Sequence, residues 1–190
     1  SEMCIRDSPY IAHALDEVLS QYSMYDVCLL GYSMGGRVAL YYALNGSVAL
    51  RGLLLESTSA GIQSEADKVE RVQVDAARAK VLEIAGLEIF VNDWEKLPLF
   101  RSQYELDAEV RKAIRANRMS QNPVRLAKAL RDYGTGNMPN LWPQVSSLRV
   151  RTLILTGEKD EKFVQIGQKL KEEIPNSRTV QVSGVGHTIH

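Results

Sequence analysis

One short stretch constrains this chain more than any other: Val27-Cys28-Leu29-Leu30-Gly31-Tyr32-Ser33-Met34-Gly35-Gly36. An apolar run of strand length enters Gly-x-Ser-x-Gly, and an apolar pattern of helical period leaves it. A serine hydroxyl is a poor nucleophile or base unless a sharp turn presents its oxygen, and a strand-to-helix junction supplies that turn. Gly31 and Gly35 are expected to permit it, because a Cβ at either position would strike the neighbouring strand or helix. The five-residue pattern alone also occurs in ordinary glycine-rich turns. The strand before it and the helix after it make Ser33 the candidate catalytic serine.

The rest of the chain reads as alternating elements. Ser8 and Pro9 suit an N-cap and a first helical position, and Ile11, Leu15, Val18, Leu19 and Tyr22 follow as one apolar stripe. Residues 1–7 have no periodicity and read as an extraneous leader. Met34 to Asn45 is a predicted helix closed by Gly46 in the usual C′ role. Val48–Leu55, Val150–Leu155 and Arg178–Val182 read as strands, with a helix from about Lys162 to Ile174 stopped by Pro175. Strands alternating with helices predict a parallel sheet. Between Ser57 and Trp142 helical patterns dominate, broken at Gly86, Pro98, Asn122-Pro123 and Gly134, with no convincing strand. The expected organisation is therefore an α/β core of residues 8–57 and 143–190 carrying an all-helical lid, 58–142. Such an insertion belongs over the C-terminal edge of the sheet, where ligands bind.

Composition narrows the function by exclusion. The chain has 23 Lys plus Arg against 23 Asp plus Glu, so no net field favours nucleic acid or a membrane surface. Recognition of a charged ligand must come from a few local residues. No apolar run approaches membrane-spanning length and no secretory signal is visible, so a cytoplasmic location is expected. Cys4 and Cys28 form no spacing pattern, and Cys28 reads as a small buried thiol.

A catalytic serine needs a base, and the base needs an orienting carboxylate. Of His13, His187 and His190, the first reads as a solvated helical side chain. His187 follows a short strand in Ser183-Gly184-Val185-Gly186-His187, a loop suited to aiming an imidazole, and is preferred over His190. For the acid, Asp160 ends Leu155-Thr156-Gly157-Glu158-Lys159-Asp160, after a strand and before a helix. An aspartate there could also serve as a plain N-cap, and Glu158 and Glu56 are rivals. The chain order serine, acid, histidine and the turn after the strand favour Asp160.

Gly31-Tyr32-Ser33-Met34-Gly35-Gly36-Arg37, the Thr156-Gly157-Glu158-Lys159-Asp160 turn and Gly186-His187 together resemble the α/β-hydrolase superfamily. The insertion is more selective. Glu70-Arg71 with Asp75, Phe90-Val91-Asn92-Asp93-Trp94, Leu97-Pro98-Leu99-Phe100, and Gly134-Thr135-Gly136 with Met138, Pro139 and Trp142 resemble the lid of the MenH-like SHCHC-synthase family. The resemblance runs from about residue 8 to residue 190. It implies a menaquinone-pathway lyase that eliminates pyruvate from SEPHCHC to give SHCHC, using a Ser-His-Asp triad with Ser33 as base. No cofactor and no metal are implied.

Arg37 lies one turn beyond the elbow, where a fork of fixed donors beside the serine suits a carboxylate. The resemblance adds Arg71 and Arg115 as lid residues for substrate carboxylates, and the backbone N–H of Met34 as an oxyanion donor. Tyr32 and Trp94 read as pocket walls, with lid packing the alternative for Trp94. Measured against the family pattern the chain reads as truncated at both ends: the strands before the elbow strand, the loop giving the second oxyanion donor and the final helix are not represented. Two other functions fit the same residues: a hydrolase of esters or carbon–carbon bonds with Ser33 as covalent nucleophile, and a ligand receptor built on a hydrolase scaffold.

Overall fold

A computed structural model describes residues 7–190; residues 1–6, most of the expected leader and Cys4 with it, lie outside the described residues. Asp7 belongs to the fold. It caps helix α1 (Ser8–Leu19), its side chain accepting the N–H of Tyr10 at 3.0 Å. A carboxylate both satisfies an orphan amide and complements the positive end of the helix, so Asp7 takes the cap and Ser8 becomes the first helical residue.

The described chain divides into two compact units, one of residues up to Gln63 with Met138–His190, the other Ser64–Asn137. The division falls inside the limits read from sequence, because both flanks of the insertion are tied to the first unit. Leu141 N–H donates to the Ala60 carbonyl at 2.6 Å and the Trp142 indole to the Gly61 carbonyl at 3.0 Å.

In the first unit, strands β1 (Cys28–Tyr32), β2 (Gly52–Glu56), β3 (Thr152–Gly157) and β4 (Ser177–Val182) form one parallel sheet in chain order. The register sets Tyr32 beside Glu56 and Glu56 beside Leu155, so the strand ends that carry the candidate residues lie level. Helix α2 (Met34–Asn45) packs on β1 and β2, and α7 (Glu161–Glu173) on β3 and β4. Leu40, Leu53, Leu55, Ile154, Leu170 and Ile174 fill the core between them.

Three local readings change. Strand β2 begins at Gly52, because the Val48 N–H is bonded to the Tyr42 hydroxyl and the Ser47 N–H to Asp16 instead of to a ladder. The buried Tyr42 donates to Asp16 at 2.6 Å, and that bond with those of Ser47 holds the Asp16 carboxyl below its ordinary value. Gly46 is extended (φ −77°, ψ 160°), not left-handed; its smallness matters because a Cβ would meet the Tyr42 ring at 2.5 Å. Cys28 is exposed and so is Leu30, two residues on and on the same face of β1, while Leu29 packs against the core.

The second unit is helical: α3 (Glu65–Ile84), α4 (Leu87–Trp94), α5 (Ala108–Met119) and α6 (Pro123–Tyr133), with no strand among its described residues. Ser64 and Asn122 cap α3 and α6 with side-chain oxygens. Ala79 and Ala127 let α3 and α6 approach, and Leu82, Leu87, Phe90, Leu126 and Leu130 complete a small core. Among the described residues no helix is long and apolar enough to cross a membrane.

At the β1–α2 junction the glycines divide the work differently from expectation. A Cβ on Gly31 would lie 2.5 Å from the Gly35 carbonyl oxygen and 2.6 Å from Gly36 Cα. Gly35 has nothing within 4 Å of such a Cβ, whereas at Gly36 it would meet Thr58 at 2.5 Å. The pressure to stay small therefore falls on Gly31 and Gly36. Gly31→Ala should cost about 1–3 kcal/mol or more of stability, while Gly35→Ala, in an open first helical turn, should be neutral or gain up to about 1 kcal/mol. Urea unfolding of the two variants checks this, and equal losses would contradict it.

Candidate active site

Ser33 has φ 49° and ψ −114°; with Ser57 (φ 46°) it accounts for the positive-φ non-glycine residues described. Such backbone is strained by about 1–3 kcal/mol and persists only where neighbours over-determine it. Here the last residue of β2 and the residues just past it do so. The Ser33 N–H donates to the Glu56 carbonyl at 2.8 Å, and the Thr58 hydroxyl donates to the Ser33 carbonyl at 2.6 Å. The buried, left-handed Ser57 turns the chain between those two contacts.

The turn aims Ser33 at His187. Nε2 of His187 lies 3.0 Å from Ser33 Oγ, and Nδ1 lies 2.6 Å from Asp160 Oδ2. His187 is 1% exposed and Asp160 is buried. The Phe163 and Tyr32 rings stand 4.6 and 5.3 Å from the imidazole, centroid to centroid. Asp160 occupies the N-cap position of α7 but makes no side-chain cap bond; its carboxylate faces His187. A proton on Nδ1 held by Asp160 leaves Nε2 to accept from the Ser33 hydroxyl. The arrangement can thus draw a proton from Ser33 and return it.

The rival residues have other partners. Glu158 accepts from Gly184 N–H and the Ser183 hydroxyl, both at 2.8 Å, and these bonds hold its carboxyl below the ordinary value. Glu56 is buried and bonded to Ile189 N–H and His190 Nδ1, both at 2.9 Å. His13 is an exposed side chain on α1 near Glu17.

Among the other candidates, Tyr32 ends β1 with its hydroxyl 2.8 Å from Thr188 Oγ1. Met34 opens α2, where first-turn N–H groups have no intrahelical acceptor, and Arg37 is half-buried one turn on. In the second unit, Arg71 Nε lies 2.9 and 3.0 Å from the two oxygens of the buried Asp75. Arg115 directs one terminal nitrogen to Glu95 and the other to Asn92, each at 2.7 Å. Trp94 stacks on Phe90 at 5.5 Å and tilts against Phe100 at 5.7 Å, within the helical unit. Thr58 and Phe163 escaped the sequence reading; the polar run Glu56-Ser57-Thr58-Ser59 closing an apolar strand was the available signal for Thr58. Among the described residues no three His, Cys, Asp or Glu side chains group as metal ligands.

A parallel sheet carrying a serine elbow, a histidine after the last strand and an acid after the strand beside it defines a class of fold and site. The sequence profile of the alpha/beta hydrolase fold family matches residues 7–190, and the chain belongs to that family. It is 40% identical over 93% of its length to the putative 2-succinyl-6-hydroxy-2,4-cyclohexadiene-1-carboxylate synthase of Bacillus subtilis, and spans 64% of that relative. The structure of MenH from S. aureus superposes with a TM-score of 0.98 at 58% identity, covering all of this chain and 71% of that one. A thermophilic esterase from Thermogutta terrifontis, solved with malate bound, gives 0.79 at 25% identity, with 95% of this chain and 65% of that one covered.

The grip on Ser33 is testable. Thr58→Val keeps the shape that packs on Gly36 but removes the donor to the Ser33 carbonyl. The Ser33 carbonyl keeps the N–H groups of Gly36 and Arg37, so the change should lower stability by about 0.5–1.5 kcal/mol, the net worth of one hydrogen bond. Unchanged urea unfolding would show that the bond holds nothing.

Proposed function

We propose that this chain carries the catalytic apparatus of an SHCHC synthase, a menaquinone-pathway lyase that eliminates pyruvate from SEPHCHC. The observation behind the proposal is the pairing of a Ser33–His187–Asp160 array with 58% identity to MenH from S. aureus. Ser33, relieved of its proton by His187, abstracts a proton from the succinyl-bearing substrate. The electron pair left on the succinyl-bearing ring carbon gives the ring its second double bond as the C–O bond to the enolpyruvyl group breaks, and the departing enolpyruvate takes up a proton to become pyruvate. Asp160 keeps the imidazole in the productive tautomer and stabilises its charged form. The N–H of Met34 donates to the developing oxyanion. Tyr32 and Trp94 serve as pocket walls, and the work is assigned to the cytoplasm.

A substrate with several carboxylates needs fixed cations, and the chain has no net charge to supply a general field. Arg37 provides one from the core. Arg71 and Arg115 are assigned to carboxylates on the family resemblance, and their local bonding ranks them. Asp75 engages Arg71 through Nε, and the terminal nitrogens of Arg71 have no partner among the described residues. They form a fork suited to a carboxylate. Arg115 already bonds through both terminal nitrogens, so an anion there competes with Glu95.

Esterase chemistry with Ser33 as covalent nucleophile is the second reading, favoured by the likeness to the Thermogutta terrifontis esterase. Substitution kinetics separate the two. Ser33→Ala, His187→Ala and Asp160→Asn should each lower turnover of SEPHCHC steeply, and combined losses should fall well short of the product of the single ones. Removing one partner of a desolvated charge pair costs about 2–5 kcal/mol, so Arg37→Ala and Arg71→Ala should cut kcat/KM for SEPHCHC at least about thirtyfold. Arg115→Ala should cost less, and Arg37→Lys should restore only part because lysine lacks the bidentate fork. Hydrolysis of a small neutral ester should barely change in the arginine variants. Equal losses on neutral and anionic substrates would make the arginines structural and remove the support for the synthase.

A further inference from the structure

The end of β2 that holds Ser33 also reaches the far side of His187. The loop bearing His187 has two differently supported halves. Before the histidine, the chain is fastened to the turn after β3: Glu158 N–H donates to the Val182 carbonyl and Lys159 N–H to the Val185 carbonyl, both at 2.9 Å. Beyond the histidine the described bonds go elsewhere. Thr188 meets the Tyr32 hydroxyl at 2.8 Å, Ile189 N–H donates to Oε1 of Glu56 at 2.9 Å, and His190 Nδ1 lies 2.9 Å from that same oxygen. Glu56 is 3% exposed. A carboxylate is buried at this depth only where donors meet it, and an ionised acceptor makes a stronger, shorter anchor than a neutral one.

The main chain of the same residue accepts the Ser33 N–H at 2.8 Å. Glu56 therefore bonds to the peptide of the serine and to the chain two residues beyond the histidine. Ser33 and His187 are 154 positions apart in sequence and meet at 3.0 Å. No sheet ladder sets that contact, because β1 and β4 are at opposite ends of the strand order. Two ties touch both loops: Tyr32 reaches Thr188 side chain to side chain, and Glu56 alone of the two bonds to the peptide of Ser33 itself and to the main chain beyond His187.

The geometry points to Glu56 as the positioning residue of the Ser33–His187 pair: its carbonyl fixes the serine turn, and its carboxylate fixes the height of the histidine loop. Glu56 is not a second triad acid, since Nδ1 of His187 faces Asp160. Its carboxylate oxygen serves the loop backbone by accepting the Ile189 N–H. The inference rests on the triad of the proposed function but not on the identity of the substrate.

The test uses Ser33 labelling by a fluorophosphonate probe, which needs no natural substrate, on the full chain as wild type, Glu56→Ala, Glu56→Gln and Ile189→Pro. Circular dichroism gives the folded fraction, and the low-field proton resonance of the His187 Nδ1–H facing Asp160 is followed by NMR. Per folded molecule, Glu56→Ala should slow labelling about a hundredfold, the effect of an ångström-scale misplacement, and broaden the resonance. Glu56→Gln keeps an oxygen for the Ile189 N–H and should recover most of the rate. Ile189→Pro removes the donor instead of the acceptor and should repeat the loss, which settles the matter if Glu56→Ala does not fold. Folded Glu56→Ala or Ile189→Pro labelling at the wild-type rate would overturn the assignment, as would a Glu56→Gln as slow as Glu56→Ala. A folded wild type that resists the probe would count against the triad reading, and the resonance, which needs no probe, would then decide the role of Glu56 alone.

Discussion

Two hydrogen bonds to one strained residue carry the organisation of this molecule. Ser33 sits in a backbone conformation that an L-residue avoids, and it stays there because Glu56 takes its N–H and Thr58 supplies a donor to its carbonyl. Both partners come from the end of β2, so the parallel pairing of β1 with β2 is what delivers them. The apolar strands supply the energy, and the polar residues at their C-terminal ends convert it into the position of one oxygen. The smallness of Gly31 and Gly36 follows from the same constraint: α2 must begin directly against β1 and against Thr58.

The buried Asp160 and Asp75 and the half-buried Asp16 sort by what they hold. Asp160 is spent on His187 although it stands where an aspartate would cap a helix. Asp16 gathers Tyr42 and Ser47 at the far end of α2, and Asp75 gathers Arg71 and Arg78 inside the helical unit. Buried charge without partners is expensive, so each of these carboxylates marks a place where geometry is enforced. Two of those places, around His187 and Arg71, are where the proposed chemistry needs fixed direction.

Much of this was legible in the sequence, for particular reasons. The elbow, the acid turn and the glycine-histidine loop are short, local and chemically distinctive, so Ser33, Asp160 and His187 could be named before any coordinates. The alternation of buried strands and helices predicted the parallel sheet. What escaped depends on partners remote in sequence. Nothing near Glu56 announces that its carboxylate would meet Ile189, 133 positions away. A local pattern suggests only the ordinary reasons for glycine at 35 and 46, whereas packing against Tyr42 explains Gly46 and open space surrounds Gly35. The cap at Asp7 was hidden by residues before it that carry no pattern. The compact units divide a few residues inside 58–142 because Ala60–Gly61 and Leu141–Trp142 bind one another across a long stretch of sequence.

In the proposed function this serine works as a base in an elimination, without becoming acylated. Rapid mixing of the protein with SEPHCHC, followed by intact-mass spectrometry and a parallel pyruvate assay, addresses it directly. Pyruvate and SHCHC should appear in equal amounts from the first turnover, with the mass of the protein unchanged throughout and no burst. A stoichiometric adduct on Ser33 that forms and decays with turnover, or release of succinate in place of pyruvate, would contradict it and identify a hydrolase.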